Sequence, residues 1–173
     1  AGMLSEVDAR QDVQVRRARR EDLAPIAGVV REATEARIEM DEADVMEWLF
    51  SKGLWVAEVD GVVTGVAAWQ AENLLCVTDV FYVAPPELLA ASGGGLLSAI
   101  EEEAGTLMCE ANVVVLPGWT DDGVRACLAA KGYEPEAYED LHYIWREVLS
   151  ELMTDACDLL VKRLRDRMVM VPV

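Results

Sequence analysis

A strand that runs into two prolines and then into three glycines leaves a chain few ways to continue. Residues 73–103, NLLCVTDVFYVAPPELLAASGGGLLSAIEEE, have that order. Leu74 to Val83 are rich in β-branched and aromatic side chains and predict a central strand. Pro85 and Pro86 end it, because proline brings no N–H to a ladder. Gly93, Gly94 and Gly95 are then expected to open a helix with Leu96, Leu97 and Ile100 on its apolar side. A glycine-rich turn at a helix N-terminus presents backbone N–H groups to an anion, aided by the helix dipole. Phosphate binding is one reading of the triplet, and a plain strand-to-helix connection is the other.

Upstream, Val13 to Ala18 predicts a first strand, and Leu23, Ile26, Ala27 and Val30 form an apolar stripe at helical spacing. Asp22 or a neighbour is expected to cap that helix, with Pro25 in its first turn, where the missing N–H is harmless. A second helix is expected from about Glu42 to Lys52, stopped by Gly53. Asp60-Gly61, between Leu54–Val59 and Val62–Gln70, is a strong hairpin signal, and a turn at Ala71 to Asn73 leads into the central strand. Downstream, Asn112 to Leu116 suits a sheet interior. Asp121 or Thr120 caps a helix carrying Val124, Cys127 and Leu128, and Gly132 ends it. Tyr133 to Ala137 and Leu141 to Glu147 read as a last pair of strands. From Val148 to Met168, Leu149, Leu152, Met153, Ala156, Leu159, Leu160 and Leu164 fall on one helical face. That terminal helix either packs on its own domain or makes a homodimer contact.

A chain of 173 residues, 53% hydrophobic, can bury one core. The expected organisation is a tag scar and loose lead-in over 1–12, one domain over 13–147 and a C-terminal amphipathic helix over 148–173. No apolar run is long enough to span a membrane, and the N-terminus has no signal pattern, so a soluble cytoplasmic protein is expected. The net charge of -17 repels nucleic acid and anionic membranes and favours cationic substrates, although solubility alone also explains an acidic surface. Cys76, Cys109, Cys127 and Cys157 match no metal or disulfide spacing and His142 is the single histidine, so no metal is expected.

The element order β-α-α-β-β-β-α-β-α-β-β, with the glycine turn after the fourth strand, resembles the GCN5-related N-acetyltransferase (GNAT) family. Tyr82-Val83-Ala84-Pro85 leading to Ala90-Ala91-Ser92-Gly93-Gly94-Gly95 is similar to the family's strand end and Q/R-x-x-G-x-G/A segment. Leu128-Ala129-Ala130-Lys131-Gly132-Tyr133 resembles its Lys-Gly-Phe-like turn before the last hairpin. The resemblance covers about residues 13–147. It implies an α/β (α+β) fold with a mixed, mostly antiparallel central sheet flanked by helices, and an acetyl-coenzyme A co-substrate. It implies further that the pyrophosphate sits over the N–H groups of Ser92, Gly93, Gly94, Gly95 and Leu96, and the pantetheine along Phe81, Tyr82 and Val83. Asp121 falls where many members place an asparagine facing the cofactor arm, and is equally a plain helix cap. Two positions depart from the pattern. Ala90 stands where arginine or glutamine is usual, and Leu128 where many members carry a tyrosine that protonates the leaving thiolate. Tyr133 and Tyr143 are the alternative donors by proximity along the chain.

Amine acetylation needs a neutral amine, so a general base is expected near the thioester. Asp79 on the central strand is the first candidate and Glu72 the second. If the strand is regular, Asp79, Phe81 and Val83 share one face; the competing reading of Asp79 is a strand carboxylate satisfied by a neighbouring donor. Glu101, Glu102 and Glu103 read as a solvated helix face, and Trp119 as a cleft-lining residue or as packing over the sheet edge. The expected function is acetyl-coenzyme A-dependent transfer of an acetyl group to a cationic primary amine, on a small molecule or a protein. The alternative is a catalytically degenerate GNAT-fold binding or interaction protein with an acidic surface.

Overall fold

The computed structural model describes residues 12–153 and 157–166. Two pairs of left-handed residues set the registers on which the sheet is built. Asp60 and Gly61, with φ of 52° and 79°, join strand β2 (Gly53–Val59) to β3 (Val62–Glu72). Asn73 and Leu74, with φ of 51° and 61°, join β3 to β4 (Leu75–Val83). Two-residue links with positive φ match the twist of adjacent antiparallel strands. Strand β1 (Val13–Arg17) pairs antiparallel with β2, and β5 (Ala111–Pro117) lies parallel to β4. Two more strands, β6 (Glu134–Glu136) and β7 (Cys157–Arg163), complete one seven-stranded sheet of order β1-β2-β3-β4-β5-β7-β6.

Helices α1 (Leu23–Ala33) and α2 (Glu42–Ser51) pack Ile26, Val30 and Val45 on Val56, Val66 and Val80. Alternate residues of the same strands, Ala57, Ala67 and Phe81, face α3 (Gly94–Thr106) and α4 (Asp122–Ala130) through Leu96, Leu97 and Leu128. A third cluster joins Trp145 and Leu149 of α5 (Tyr143–Ser150) to Leu75, Val77 and Val113. The mixed, mostly antiparallel sheet between helices is the expected fold class.

Several local expectations are corrected. The glycine triplet does open α3, with Gly93 at its N-cap position, but not from a free turn. A 3-10 turn at Pro86–Leu88 and a π turn at Leu89–Gly93 already precede α3, so the glycines lie inside one helical run. What they supply is closeness. A Cβ at Gly93 would sit 3.0 Å from Phe81 Cζ and 3.2 Å from Cys127 Sγ, and one at Gly95 would sit 3.0 Å from Val15 Cγ2. Asp22 does not cap α1. It closes the turn Arg20–Asp22 by accepting the Arg19 N–H at 2.7 Å and Arg16 Nη1 at 2.7 Å. Gly53 does not stop α2 either; Lys52 turns the backbone extended and Gly53 begins β2.

The expected strand at Leu141–Glu147 is α5, with His142 at its N-cap accepting the Ile144 N–H on Nδ1 at 3.2 Å. Of the expected terminal helix, Val148 to Ser150 are helical as the end of α5, but residues 157–163 are a strand. Leu159, Leu160 and Val161 are buried because β7 lies between β5 and β6, with Leu160 in the α3–α4 cluster and Leu159 and Val161 in the α5 cluster. A run of adjacent apolar residues satisfies a helical stripe and a two-sided central strand alike. Residues 157–163 thus belong to the sheet, and the helix proposed as a homodimer contact is absent from them. Residues 1–11, Ala156 and Met168 lie outside the described residues. Glu101 also departs from a solvated face: it accepts from Tyr133 Oη at 3.1 Å and Lys162 Nζ at 2.5 Å, and Asn112 Nδ2 donates to the same phenol at 2.8 Å.

Candidate active site

A single extra residue opens the sheet. Ala68 pairs with Val80 and Trp69 with Thr78, so Asp79 has no partner across the β3–β4 ladder and forms a bulge. The parallel pairing of β4 with β5 stops at the same place, its last pair being Thr78 with Val114. From Asp79 to Val83, strand β4 no longer pairs with β5, and a cleft of about 410 Å³ lies between Phe81, Tyr82 and Val83 and the end of β5 at Val115, Leu116 and Pro117. The bulge breaks the alternation that would have put Asp79 on one face with Phe81 and Val83.

Asp79 lines this cleft, and its Oδ2 is ion-paired with Lys52 Nζ. Its Oδ1 is buried and has no hydrogen-bond partner among the described residues. Tyr82 lines the same wall. Burial, and after it the charge of Asp79, pushes its phenol up to about 12, so the hydroxyl keeps its proton through the neutral range. At the mouth, Trp119 is 41% exposed and carries the Arg37 guanidinium 5.2 Å above its ring centroid. Arg37 is brought there by the connection after α1. Glu35 and Ala36 adopt left-handed φ of 51° and 63°, and the buried Thr34 hydroxyl ties Val30 O to the Ile38 N–H. Asp121 caps α4 by accepting the Val124 N–H at 3.1 Å and also fronts the cleft.

The fold thus brings together Asp79, Phe81, Tyr82, Val83 and Asp121. Glu72 is exposed at the end of β3 beside the Asn73-Leu74 turn, away from the cleft. Tyr143 is 58% exposed on α5, stacked on His142 at 4.6 Å. Tyr133 is 1% exposed and bonded to Glu101 and Asn112, and burial pushes its phenol up further than that of Tyr82. The expected cradle at Ser92 to Leu96 is not an open turn. Ser92 and Leu96 are buried, the Ser92 and Thr64 hydroxyls are hydrogen-bonded at 2.9 Å, and the Gly94 N–H donates to the carbonyls of Ala90 and Ala91. Three residues escaped the sequence reading: Lys52, Arg37 and Lys131. Lys52 looks like the polar end of a helix, and nothing in its neighbours points across to Asp79. Among the described residues no group of three His, Cys, Asp or Glu side chains is arranged to hold a metal ion, and no helix is long and apolar enough to cross a membrane.

The chain matches no family model and no curated protein sequence. Its fold does match solved structures. An acetyltransferase of the GNAT family from Staphylococcus aureus Mu50 aligns with a TM-score of 0.69 and 11% identity, over 89% of this chain and 100% of that one. The PaiA N-acetyltransferase of Thermoplasma acidophilum, in complex with coenzyme A, gives 0.63 and 14%, over 88% and 99%. N-acetylglutamate synthase from Neisseria gonorrhoeae, complexed with coenzyme A and N-acetylglutamate, gives 0.65 and 19%, over 89% of this chain and 35% of that one. The chain therefore spans about a third of the synthase's length.

Proposed function

We propose, from the GNAT fold that this chain carries, that it is an acetyl-coenzyme A-dependent N-acetyltransferase acting on a cationic amine. The observation that carries the reading is the cleft opened at the Asp79 bulge, where a strand edge relieved of β5 meets a mostly buried carboxylate. The residues fit the cofactor's arm: backbone groups on the β5 side of Asp79 to Val83 can receive an extended chain of amides, against the apolar Leu116 and Val124. For the phosphates, the chain offers the ammonium of Lys131. That ammonium donates to Ser98 Oγ at 2.9 Å, makes no ion pair among the described residues, and belongs to a side chain that passes over Gly94. Lys131 would then supply, from the C-terminal end of α4, the charge that Ala90 lacks.

Bound coenzyme would supply the activated acetyl thioester; the rest falls to the chain. Asp79 accepts from the amine. The neutral Tyr82 hydroxyl is the one tyrosine in the cleft and stands available as a donor. Arg37 and Trp119 cover the mouth against water. The acidic surface steers a cation toward it.

The test begins with thermal unfolding. Acetyl-coenzyme A at about 100 times its Kd should stabilise the protein by about 2.7 kcal/mol. No shift at millimolar concentration sinks the reading. With a shift in hand, thiol release across a panel of amines reports turnover, and a shift without release indicates binding alone. Asp79→Asn should slow transfer by about 10²- to 10⁴-fold while leaving the cofactor shift unchanged; undiminished transfer removes Asp79 from the chemistry.

A further inference from the structure

Buried polar oxygens nearly always have a partner, and Asp79 Oδ1 has none among the described residues. Its twin Oδ2 is held by Lys52 Nζ. The clamp has a fixed origin on each side. Lys52 is where α2 ends: its N–H donates to Trp48 O at 3.0 Å and its backbone turns extended, at φ of -136°, to feed Gly53 into β2. Asp79 is the extra residue of the β4 bulge, so the clamp, and no cross-strand partner, sets the direction of its side chain. Both side chains are mostly buried, at 16% and 15% exposure.

A carboxylate held by one oxygen offers the other to whatever occupies the cleft. Only a hydrogen-bond donor satisfies that atom; an anion or a carbonyl is repelled. We propose that Lys52 is a positioning residue for the acceptor amine: it fixes Asp79 through Oδ2 so that Oδ1 accepts an N–H from the amine and turns the nitrogen lone pair along the cleft. The inference rests on the transferase reading. In the step it serves, the bound ammonium first gives one proton through Oδ1 and water to solvent, and the neutral nitrogen then forms a bond to the thioester carbonyl carbon as the carbon–sulfur bond breaks, the sulfur departing with that bonding pair. The second proton shed by nitrogen passes to Oδ1 and, through water, to the sulfur, so one amine and one thioester become one amide and one thiol. Lys52 touches none of the reacting atoms.

The probe is 1,4-diaminobutane, titrated into ¹⁵N-labelled protein while the backbone resonances of Thr78, Asp79 and Val80 are followed. The wild type should show saturable shifts at these residues. Lys52→Met, folded by circular dichroism, should bind the diamine at least about tenfold more weakly, and Lys52→Arg, which keeps the charge, should stay within about threefold of wild type. In transfer assays the same loss should appear in the KM of the amine, with the KM of acetyl-coenzyme A unmoved, a split that a merely structural ion pair does not produce. Diamine binding by Lys52→Met equal to wild type overturns the proposal, as do wild-type resonances that the diamine leaves in place. A second measurement needs no variant: the Lys52 side-chain ammonium should remain protected from hydrogen exchange in the diamine-bound protein, and its release overturns the clamp. Stabilisation by acetyl-coenzyme A on the same samples reports separately on the transferase reading, because diamine binding requires no coenzyme.

Discussion

Asp22 carries part of the acid limb of this protein's stability. Its carboxylate accepts from Arg16 and from the Arg19 N–H, and the Arg16 guanidinium, foremost, holds it below the usual carboxylate range. A group depressed in the folded state stabilises above its unfolded pKa of about 3.9 and loses that contribution as pH falls through the folded value. Asp22→Asn should therefore destabilise by about 1.5–3 kcal/mol at pH 7 and by progressively less in acid. Urea midpoints at pH 7 and at pH 3 check this, and an equal loss at both refutes the ion-pair account. Tyr82 acts at the other end. Its phenol is raised to about 12, by burial and then by Asp79, while an unfolded tyrosine ionises near 10. The folded state keeps a proton that the unfolded chain gives up, so stability falls as pH rises from about 10 to about 12. In Tyr82→Phe that alkaline loss should be smaller than in wild type, in the same denaturation experiment.

At the scale of elements, β7 is the part that most needs its neighbours. It pairs over seven residues with β5 and over three with β6. A chain ended after Glu147 should lose its cooperative unfolding transition, because β5 is left with an open edge and Val113 and Val115 lose Leu159 and Val161. A truncated chain that still melts cooperatively by circular dichroism contradicts this. The same strand marks where sequence stopped being informative. Asp60-Gly61, the first helix and the Asp121 cap could all be read from local chemistry, since turn geometry, periodicity and capping act within a few residues. So could the part of the candidate site written on one strand: Asp79 and Tyr82, which line the cleft, and the break at Pro85. Strand β7 could not, because its two-sided burial is decided by β5 and β6 and its apolar run fits a helix equally well. Lys52 was hidden for the same reason, since its partner lies 27 residues away and is reached only through a bulge. Gly93 has a further property that local sequence did not show. Its backbone is helical, and its lack of a side chain admits Phe81. Gly93→Val should therefore destabilise by about 1–3 kcal/mol through crowding alone.

Taken as a whole, the molecule presents opposite electrostatics to its two proposed ligands. A net charge of -17 attracts an ammonium and repels a coenzyme that carries several phosphates. Salt screens both effects, the Debye length falling from about 30 Å at 0.01 M to about 3 Å at 1 M. Raising ionic strength across that range should increase the KM of the amine and decrease that of acetyl-coenzyme A. If both rise together, the surface charge plays no part in sorting the two. The strand order has a consequence in time as well. Strand β6 is synthesised before β7, yet β7 must lie between it and β5. On the ribosome, where chains emerge at about 5–20 residues per second, β6 waits without its partner β7 while some twenty further residues are added. Until Arg163 has emerged, β5 keeps an open edge on the side that β7 will cover, the kind of unpaired strand edge to which another chain can add.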